Sequence, residues 1–201
     1  MKPTHVRTTG MAAATLALPM ALGVLAPHAS ADTPSPSPST SMSTPFGPGC
    51  SSMPHSGTGS AAEMAKVPLA TAAAQNPELS MLVSAVKKAG LTDTLNKAKD
   101  STLFAPTNDA FNKLGKAKVD ALLNNKTELK KVLTYHVVGK KITPSELPHG
   151  SFTTLEGGKL TTSGSGTSFK VNDTAAITCG DISTANGKVY VIDGVLTPPS
   201  S

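Results

Sequence analysis

Apolar residues in the first half of the foldable region recur at helical spacing. After Pro77-Glu78, the apolar residues at positions 79, 82, 83 and 86 follow the i, i+3, i+4, i+7 pattern of an amphipathic helix. Lys87-Lys88 in the last turn and Gly90 just beyond it are typical of a helix end. The same criteria predict a buried strand over Thr102–Ala105 and further short helices over Thr92–Ala98, Asn108–Lys113 with Thr107 as N-cap, Val119–Asn124 and Thr127–Thr134.

After Tyr135 the apolar spacing changes from 3.6 towards 2, and Gly-rich turns separate short segments rich in Val, Ile, Thr and Phe. Asn186-Gly187 is predicted to form a two-residue type I′ hairpin turn, because both central residues of that turn need positive φ. In the strand that follows, Val189 and Val191 alternate with Tyr190 and Ile192, so both faces are apolar. Helices followed by strands predict the α+β class rather than a parallel α/β sheet.

Residues 1–31 read as a secretory signal peptide. Lys2 and Arg7 precede an apolar run from Met11 to Leu25, and cleavage is expected after Ala31 in the small-residue tripeptide Ala29-Ser30-Ala31. A retained membrane anchor is the alternative, but a spanning helix needs about 20 apolar residues and this run has about 15. We expect a secreted, extracellular chain without a transmembrane segment after cleavage.

The segment after the leader is a predicted tether. From Thr33 to Thr40, proline alternates with hydroxyl residues and there is nothing apolar to bury, so residues 32–48 are predicted to be a disordered, polyproline-like tether. Residues 49–64 remain rich in Gly, Pro and Ser and are predicted to be irregular, pinned by Cys50. Residues 65–200 form the predicted domain.

The charge and aromatic content argue against a nucleic-acid partner. The formal net charge of +5 falls to +3 when the leader is removed, because the leader contains Lys2 and Arg7 and no acidic residue. No Arg is left, Trp is absent and aromatic residues make up 3% of the chain, whereas phosphate and base recognition rely on clustered basic residues and on stacking. The remaining basic excess indicates a solvated surface, with acidic glycans or cell-wall polymers as an option.

The two cysteines of an exported chain allow one intramolecular pairing, Cys50 with Cys179. We predict this disulfide. By the chain-entropy model, closing a loop of this length stabilises the fold by about 4 to 5 kcal/mol. The alternative is two free thiols, which would leave Cys50 open to oxidation.

Three stretches in order carry a family resemblance: Ser101–Phe111 (STLFAPTNDAF), Leu133–Val138 (LTYHVV) and Gly187–Pro199 (GKVYVIDGVLTPP). They resemble the first signature, the central Tyr-His motif and the second signature of the fasciclin domain family. The resemblance covers about residues 65 to 200. The whole chain is also similar to the small secreted single-domain fasciclin antigens of actinobacteria.

The resemblance implies a wedge-like fold in which a β-sandwich is flanked by several short helices. It implies cell adhesion or matrix association, and no catalysis. Residues near the Tyr-His motif and an Asp-Ile pair have been proposed as integrin contacts in animal members, and the nearest matches here are Tyr135, His136, Asp181 and Ile182. Read from the residues alone, most signature positions have structural roles. His136, at a helix end, fits a ring N–H that satisfies a carbonyl.

Enzyme and metal motifs are absent from the sequence. After the leader the histidines are His55, His136 and His149, with no Gly-x-Ser-x-Gly, no His-Glu-x-x-His and no phosphate-binding Gly motif. We therefore expect no catalytic residue, no metal site and no cofactor. The predicted function is a secreted or cell-surface adhesion module that contacts extracellular protein, matrix or another cell-surface component. The alternative is a carrier of cell-wall glycan or lipid, suggested by the scattered lysines and by the second apolar face at Tyr190 and Ile192.

Overall fold

The computed structural model describes residues 44–199. The predicted leader and most of the predicted tether lie outside the described residues. Within residues 44–199 the helices are Ala61–Met64 (α1), Leu69–Ala74 (α2), Ser80–Ala89 (α3), Thr92–Lys97 (α4), Asn108–Leu114 (α5), Lys116–Asn124 (α6) and Lys126–Tyr135 (α7), with 3₁₀ turns at Pro48–Ser52, Pro77–Leu79 and Pro144–Glu146. The strands are Ser101–Pro106 (β1), Val137–Val138 (β2), His149–Thr153 (β3), Lys159–Ser165 (β4), Ser168–Val171 (β5), Ala175–Ser183 (β6) and Gly187–Ile192 (β7).

Local capping rules explain where several helices begin and end. The predicted helix near residue 80 is confirmed as α3, and Gly90 follows it in the left-handed conformation at φ 70°, which glycine adopts at little cost. The Thr107 hydroxyl accepts a hydrogen bond from the Ala110 N–H at 3.2 Å, so the predicted N-cap of α5 is confirmed. The side chain of Asn125 caps α7 in the same way.

The strands form one seven-stranded sheet in the order β2-β1-β7-β6-β5-β4-β3. β1 and β7 are parallel, and the other neighbouring pairs are antiparallel. A bridge between Val138 and Thr154 joins the two ends of this order, and the Leu155 N–H donates to the Val137 carbonyl at 2.7 Å. The sheet therefore curves into a barrel-like shape. The α+β class is confirmed, and the two layers expected of a sandwich are parts of one continuous sheet.

The core has two apolar clusters on opposite sides of β1 and β7. Leu103 and Val189 pack with the helices, whereas Phe104 and Tyr190 lie in the cluster enclosed by the sheet. The rings of Phe104 and Tyr190 stack with their centroids 5.6 Å apart. The predicted two-faced strand is thus confirmed, because alternate residues of β7 enter different clusters.

The disulfide between Cys50 and Cys179 is confirmed. Beside it, Phe46 and Gly180 exchange backbone hydrogen bonds of 3.1 and 2.8 Å. The Phe46 ring contacts Phe169 edge-on at a centroid distance of 5.6 Å. The predicted disordered tether therefore extends too far: the chain is packed from Phe46 onwards, because Phe46 pairs with Gly180 and its ring contacts Phe169.

The segment predicted to be irregular, residues 49–64, contains most of a 3₁₀ turn and the one-turn helix α1. The side chain of Ser60 caps α1 by accepting from the Glu63 N–H at 3.4 Å. Local capping thus imposes helical structure on a composition that is otherwise typical of loops. The remaining domain boundaries stay predictions.

The hairpin between β6 and β7 is present, but the predicted type I′ turn at Asn186-Gly187 is wrong. Neither residue has positive φ, and Gly187 already pairs with Ser101 as the first residue of β7. A Cβ atom on Gly187 would collide with the Ser101 carbonyl, so the glycine permits close approach of two strands. Positive φ at two successive residues occurs instead at Asn172-Asp173, with values of 49° and 55°, between β5 and β6.

The Asn186 side chain has a different function from the one predicted. Its Oδ1 accepts from the Leu69 N–H at 2.8 Å. Its Nδ2 donates to the carbonyls of Leu95, Asn96 and Ala98 at 2.8, 3.1 and 2.7 Å. One amide therefore satisfies the start of α2 and the end of α4 and fixes both to the sheet.

Replacing this amide tests its importance. We expect Asn186→Ala to lower the free energy of unfolding by about 2 to 3 kcal/mol, because it leaves several partly buried backbone groups without a partner. Urea denaturation measures this change. Asn112→Ala, at an exposed position of α5, is the matched control and should change stability little. Equal midpoints for the two variants would contradict the assigned role.

Candidate binding surface

Tyr135 is buried at the end of α7, with 2% of its surface exposed. Its hydroxyl donates to the Lys159 carbonyl at 2.8 Å and accepts from Nδ2 of Asn172 at 2.9 Å. These bonds connect α7 to the first residue of β4 and to the turn between β5 and β6. The phenol therefore joins the helical layer to the sheet.

His136 follows Tyr135 and is fully buried. Its Nδ1 lies 2.7 Å from the Val132 carbonyl and its Nε2 lies 3.0 Å from the Leu196 N–H. A carbonyl can only accept and an amide N–H can only donate, so the ring is neutral with its proton on Nδ1. Burial lowers the pKa of His136 to about 4, and the bond to the Val132 carbonyl opposes part of that shift.

Asp181 and Ile182 lie in β6, where the register with β7 shifts between Cys179 and Ile182. Asp181 has a φ of 60° and forms a buried ion pair with Lys188 of β7. Ile182 is 1% exposed and belongs to the cluster under the helices. Irregular pairing at this position turns the carboxylate towards its lysine partner.

The four predicted contact residues therefore lie in two places, at the end of α7 and in β6, and all four side chains are buried. A partner could reach them only if the domain opened. Burial favours structural roles for these residues, and their assignment as binding residues stays a prediction. A contact surface has to be sought among exposed side chains.

An open depression of about 650 Å³ lies where α3 packs against α7. We call it the lysine depression. Its lining is Lys87, Lys88, Ala89, Gly90, Lys126, Thr127, Lys130, Lys131, Thr134, Leu155 and Glu156. All five of its lysines are exposed.

The helical repeat brings these lysines together. Lys126 and Lys130 are one turn apart on α7, and Lys131 follows on the adjoining row. Lys87 and Lys88 arrive from the last turn of α3. There they complement the helix dipole, whereas Lys126 at the first position of α7 opposes it. The dipole thus explains the α3 lysines but not Lys126.

The lysine depression is a region of uncompensated positive charge. Within residues 44–199, none of its five lysines has a carboxylate within 4.0 Å, although five other lysines do. Glu156 is the one acidic residue in the lining, and it accepts a hydrogen bond from the Gly158 N–H at 3.2 Å. Clustered like charges raise the local potential and attract anions.

Leu155 gives the depression an apolar contact point. It is the large hydrophobic side chain that the described part of the chain leaves exposed, at 45%. Its backbone is fixed by the hydrogen bond to Val137 that closes the sheet. In the sequence these lysines are scattered, because α3 and α7 are far apart in the chain. The available signal was the pair Lys87-Lys88 together with a basic row on α7.

These features define an α+β module of the fasciclin type, in which the two motif strands β1 and β7 are neighbours in the sheet. The Fasciclin domain family profile matches residues 77–198. The chain belongs to the fasciclin domain family, as its motifs predict. In residues 44–199, no helix has the length and apolar character needed to cross a bilayer, and no group of three acidic, His or Cys residues is arranged to hold a metal ion.

Two kinds of relative are similar along the chain. "Immunogenic protein MPB70" of Mycobacterium bovis is 39% identical over 97% of this chain and 97% of its own length. "Cell surface glycolipoprotein MPB83" of the same species is 45% identical over 72% of this chain and 66% of its own length. Together with the family match, these relatives confirm the extracellular, cell-surface location that the sequence predicts.

A solved structure shows the same fold. It is a FAS1 domain pair from the insect cell adhesion molecule Fasciclin I, with a TM-score of 0.51 and 18% identity. The match covers 63% of this chain and 47% of the insect chain. This chain therefore spans about half the length of that structure. At this identity the likeness concerns the fold alone.

The buried imidazole predicts a pH-dependent stability. The pKa of His136 is lower in the folded than in the unfolded chain, so the unfolded chain takes up the proton first and stability falls as the pH falls from about 6.5 towards 4. Between pH 7 and pH 5 we expect a loss of about 2 kcal/mol in the free energy of unfolding. Chemical denaturation at each pH measures it.

The control separates this residue from other acid effects. His136→Gln should be less stable at pH 7 and should lose most of the change between pH 7 and 5. His149→Gln, at an exposed histidine, should keep the wild-type change. A His136→Gln variant with an undiminished pH dependence would show that another group is responsible.

Proposed function

We propose that this protein is an extracellular binding module without catalytic activity, which adheres through the lysine depression. Its partner is an extracellular protein, a matrix component or a cell-surface component that presents clustered negative charge. The observation that carries this proposal is the set of five exposed lysines around one depression with no carboxylate partner in the described residues.

The charge arrangement favours an extended anionic partner over a single small anion. A single exposed ion pair contributes little, but the five lysines that line one depression act together on a multivalent partner. Such complementarity raises the association rate and gives specificity. The cluster also carries like-charge repulsion between Lys126 and Lys130 on α7, which an anionic partner would relieve.

Leu155 supports a protein or matrix surface as the partner. Binding sites between proteins combine a small apolar centre with a polar, charged rim. Here the exposed leucine lies in the lining with the lysines, and its fixed backbone reduces the entropy lost on binding. An acidic surface with one apolar pocket would fit both features.

Two of the groups with shifted pKa values, His136 and Glu146, are consistent with a non-catalytic role. The pKa of His136 is lowered by burial inside the fold, where no substrate could reach the ring. The pKa of Glu146 is lowered to about 2, first by its hydrogen bond with Lys140. Each shift has a structural cause, and the two groups line different depressions.

The alternative of a carrier is favoured by one separate observation. An apolar cavity lies beside the depression, between α2, α3 and α4, and its character suits a lipid better than a glycan. A cell-wall glycan would need acidic groups to form ion pairs with the lysines. Glycan arrays with neutral and acidic members therefore distinguish a glycan from a protein partner.

Charge reversal tests the proposed surface. We expect Lys130→Glu/Lys131→Glu to weaken binding to cell envelopes or acidic matrix proteins at least tenfold, because both substitutions place negative charge in the depression. Lys159→Glu/Lys170→Glu makes the same change in net charge at two exposed lysines on the sheet and should bind like the wild type. Surface plasmon resonance at two salt concentrations measures both affinity and its salt dependence.

Two results would contradict the proposal. One is equal loss of binding in both double variants, which would indicate a response to net charge alone. The other is unchanged binding in Lys130→Glu/Lys131→Glu with both proteins folded, as judged by circular dichroism. The salt dependence should be smaller for the depression variant than for the control.

A further inference from the structure

An apolar cavity of about 190 Å³ lies beneath α2, α3 and α4, against β1. Its inner wall is formed by buried side chains from all four elements: Ala70, Ala73, Leu82, Val86, Leu95 and Leu103. None of these inner side chains carries a polar atom. A water molecule inside would lack hydrogen-bonding partners, and cavities of this kind stay dry or take up apolar molecules.

The sequence of α2 explains why the space exists. The helix reads Leu-Ala-Thr-Ala-Ala-Ala, so the side of α2 that faces α3 and α4 carries methyl groups where a tightly packed helix would carry leucine or valine. The cavity walls therefore lack partner atoms on one side. Small residues on one helix opposite large ones on three neighbours leave a slot rather than a filled core.

The cavity opens next to the lysine depression. Its mouth is formed by exposed Thr71, Ala74 and Lys87 and by half-buried Val83 and Thr92. Lys87 borders both the cavity and the lysine depression. A ligand whose apolar part occupies the cavity would thus place its polar head group next to the lysines of the depression.

We propose that the cavity binds the hydrocarbon chain of a fatty acid, with its carboxylate at Lys87. A cavity of about 150 Å³ is large enough for benzene, so this one accommodates a short chain segment. The exposed ion pair between the ligand carboxylate and the lysine orients the ligand and adds little affinity. Burial of the chain supplies most of the binding, and the site would exist without the macromolecular contact proposed above.

Calorimetric titration of the full secreted chain with sodium salts of saturated fatty acids, from butyrate to laurate, tests this site. Affinity should rise about fourfold for each methylene buried and stop rising once the chain fills the cavity. Neutral 1-octanol should bind a few-fold more weakly than the carboxylate of equal length. A series with no dependence on chain length would overturn the proposal.

Filling the cavity provides the decisive variant. Ala73→Leu should reduce octanoate affinity at least tenfold while the melting temperature stays the same or rises, because the added atoms occupy empty space. Ala117→Leu, at an exposed position of α6, is the matched control and should bind octanoate normally. Wild-type affinity in a folded Ala73→Leu variant would overturn the site.

Enlarging the cavity gives an independent measurement if Ala73→Leu does not fold. In Val86→Ala, affinity should stop rising only at a longer fatty acid than in the wild type. The same limiting chain length in both proteins would count against the cavity. Lys130→Glu/Lys131→Glu separates the two proposals. That variant should keep octanoate binding through Lys87 and the cavity even where it loses the macromolecular partner.

Discussion

The parallel pairing of β1 with β7 is the contact on which the rest of the domain depends. It places Leu103 beside Val189 and Phe104 beside Tyr190, so that two strands distant in sequence supply adjacent residues to both apolar clusters. Closing so long a loop is unfavourable in entropy. The disulfide, which joins residues 129 positions apart, reduces that cost by restricting the unfolded chain.

Only a glycine fits at the start of β7, because the Ser101 carbonyl occupies the space of a side chain.

This pairing explains why the family motifs are buried. Two of them contain β1 and β7. The third covers the end of α7, where the polar atoms of Tyr135 and His136 form hydrogen bonds with the backbone of Lys159 and Leu196. The motifs are therefore requirements of the fold, and they can be shared by members that bind different partners. The lysines of α3 and α7 lie outside that framework, on a surface that can vary without loss of the core.

The sequence allowed the α+β class, most helices, the two-faced last strand and the disulfide to be predicted, since each follows from local spacing, capping or simple pairing. It did not allow the parallel register, because register depends on packing between distant strands. Asn186 shows the same limit: an Asn-Gly pair favours a hairpin turn, but tertiary hydrogen bonds to α2 and α4 outweigh that preference. The lysine depression was missed because its members come from two helices that only the fold brings together. The cavity depends on the alanines of α2 facing larger side chains, which spacing alone does not reveal.

If the domain binds through the junction of α3 and α7 while its motif residues serve the fold, bound partners should be captured at the lysine depression. Site-specific photo-cross-linking detects such capture. A benzophenone side chain is introduced at Thr127 in the lysine depression or at Ser168 on the sheet, both exposed, and the secreted protein is irradiated on intact cells. Saturable cross-links from position 127, with none from position 168, are the expected result. Cross-links from position 168 and none from position 127 would contradict binding at the lysine depression.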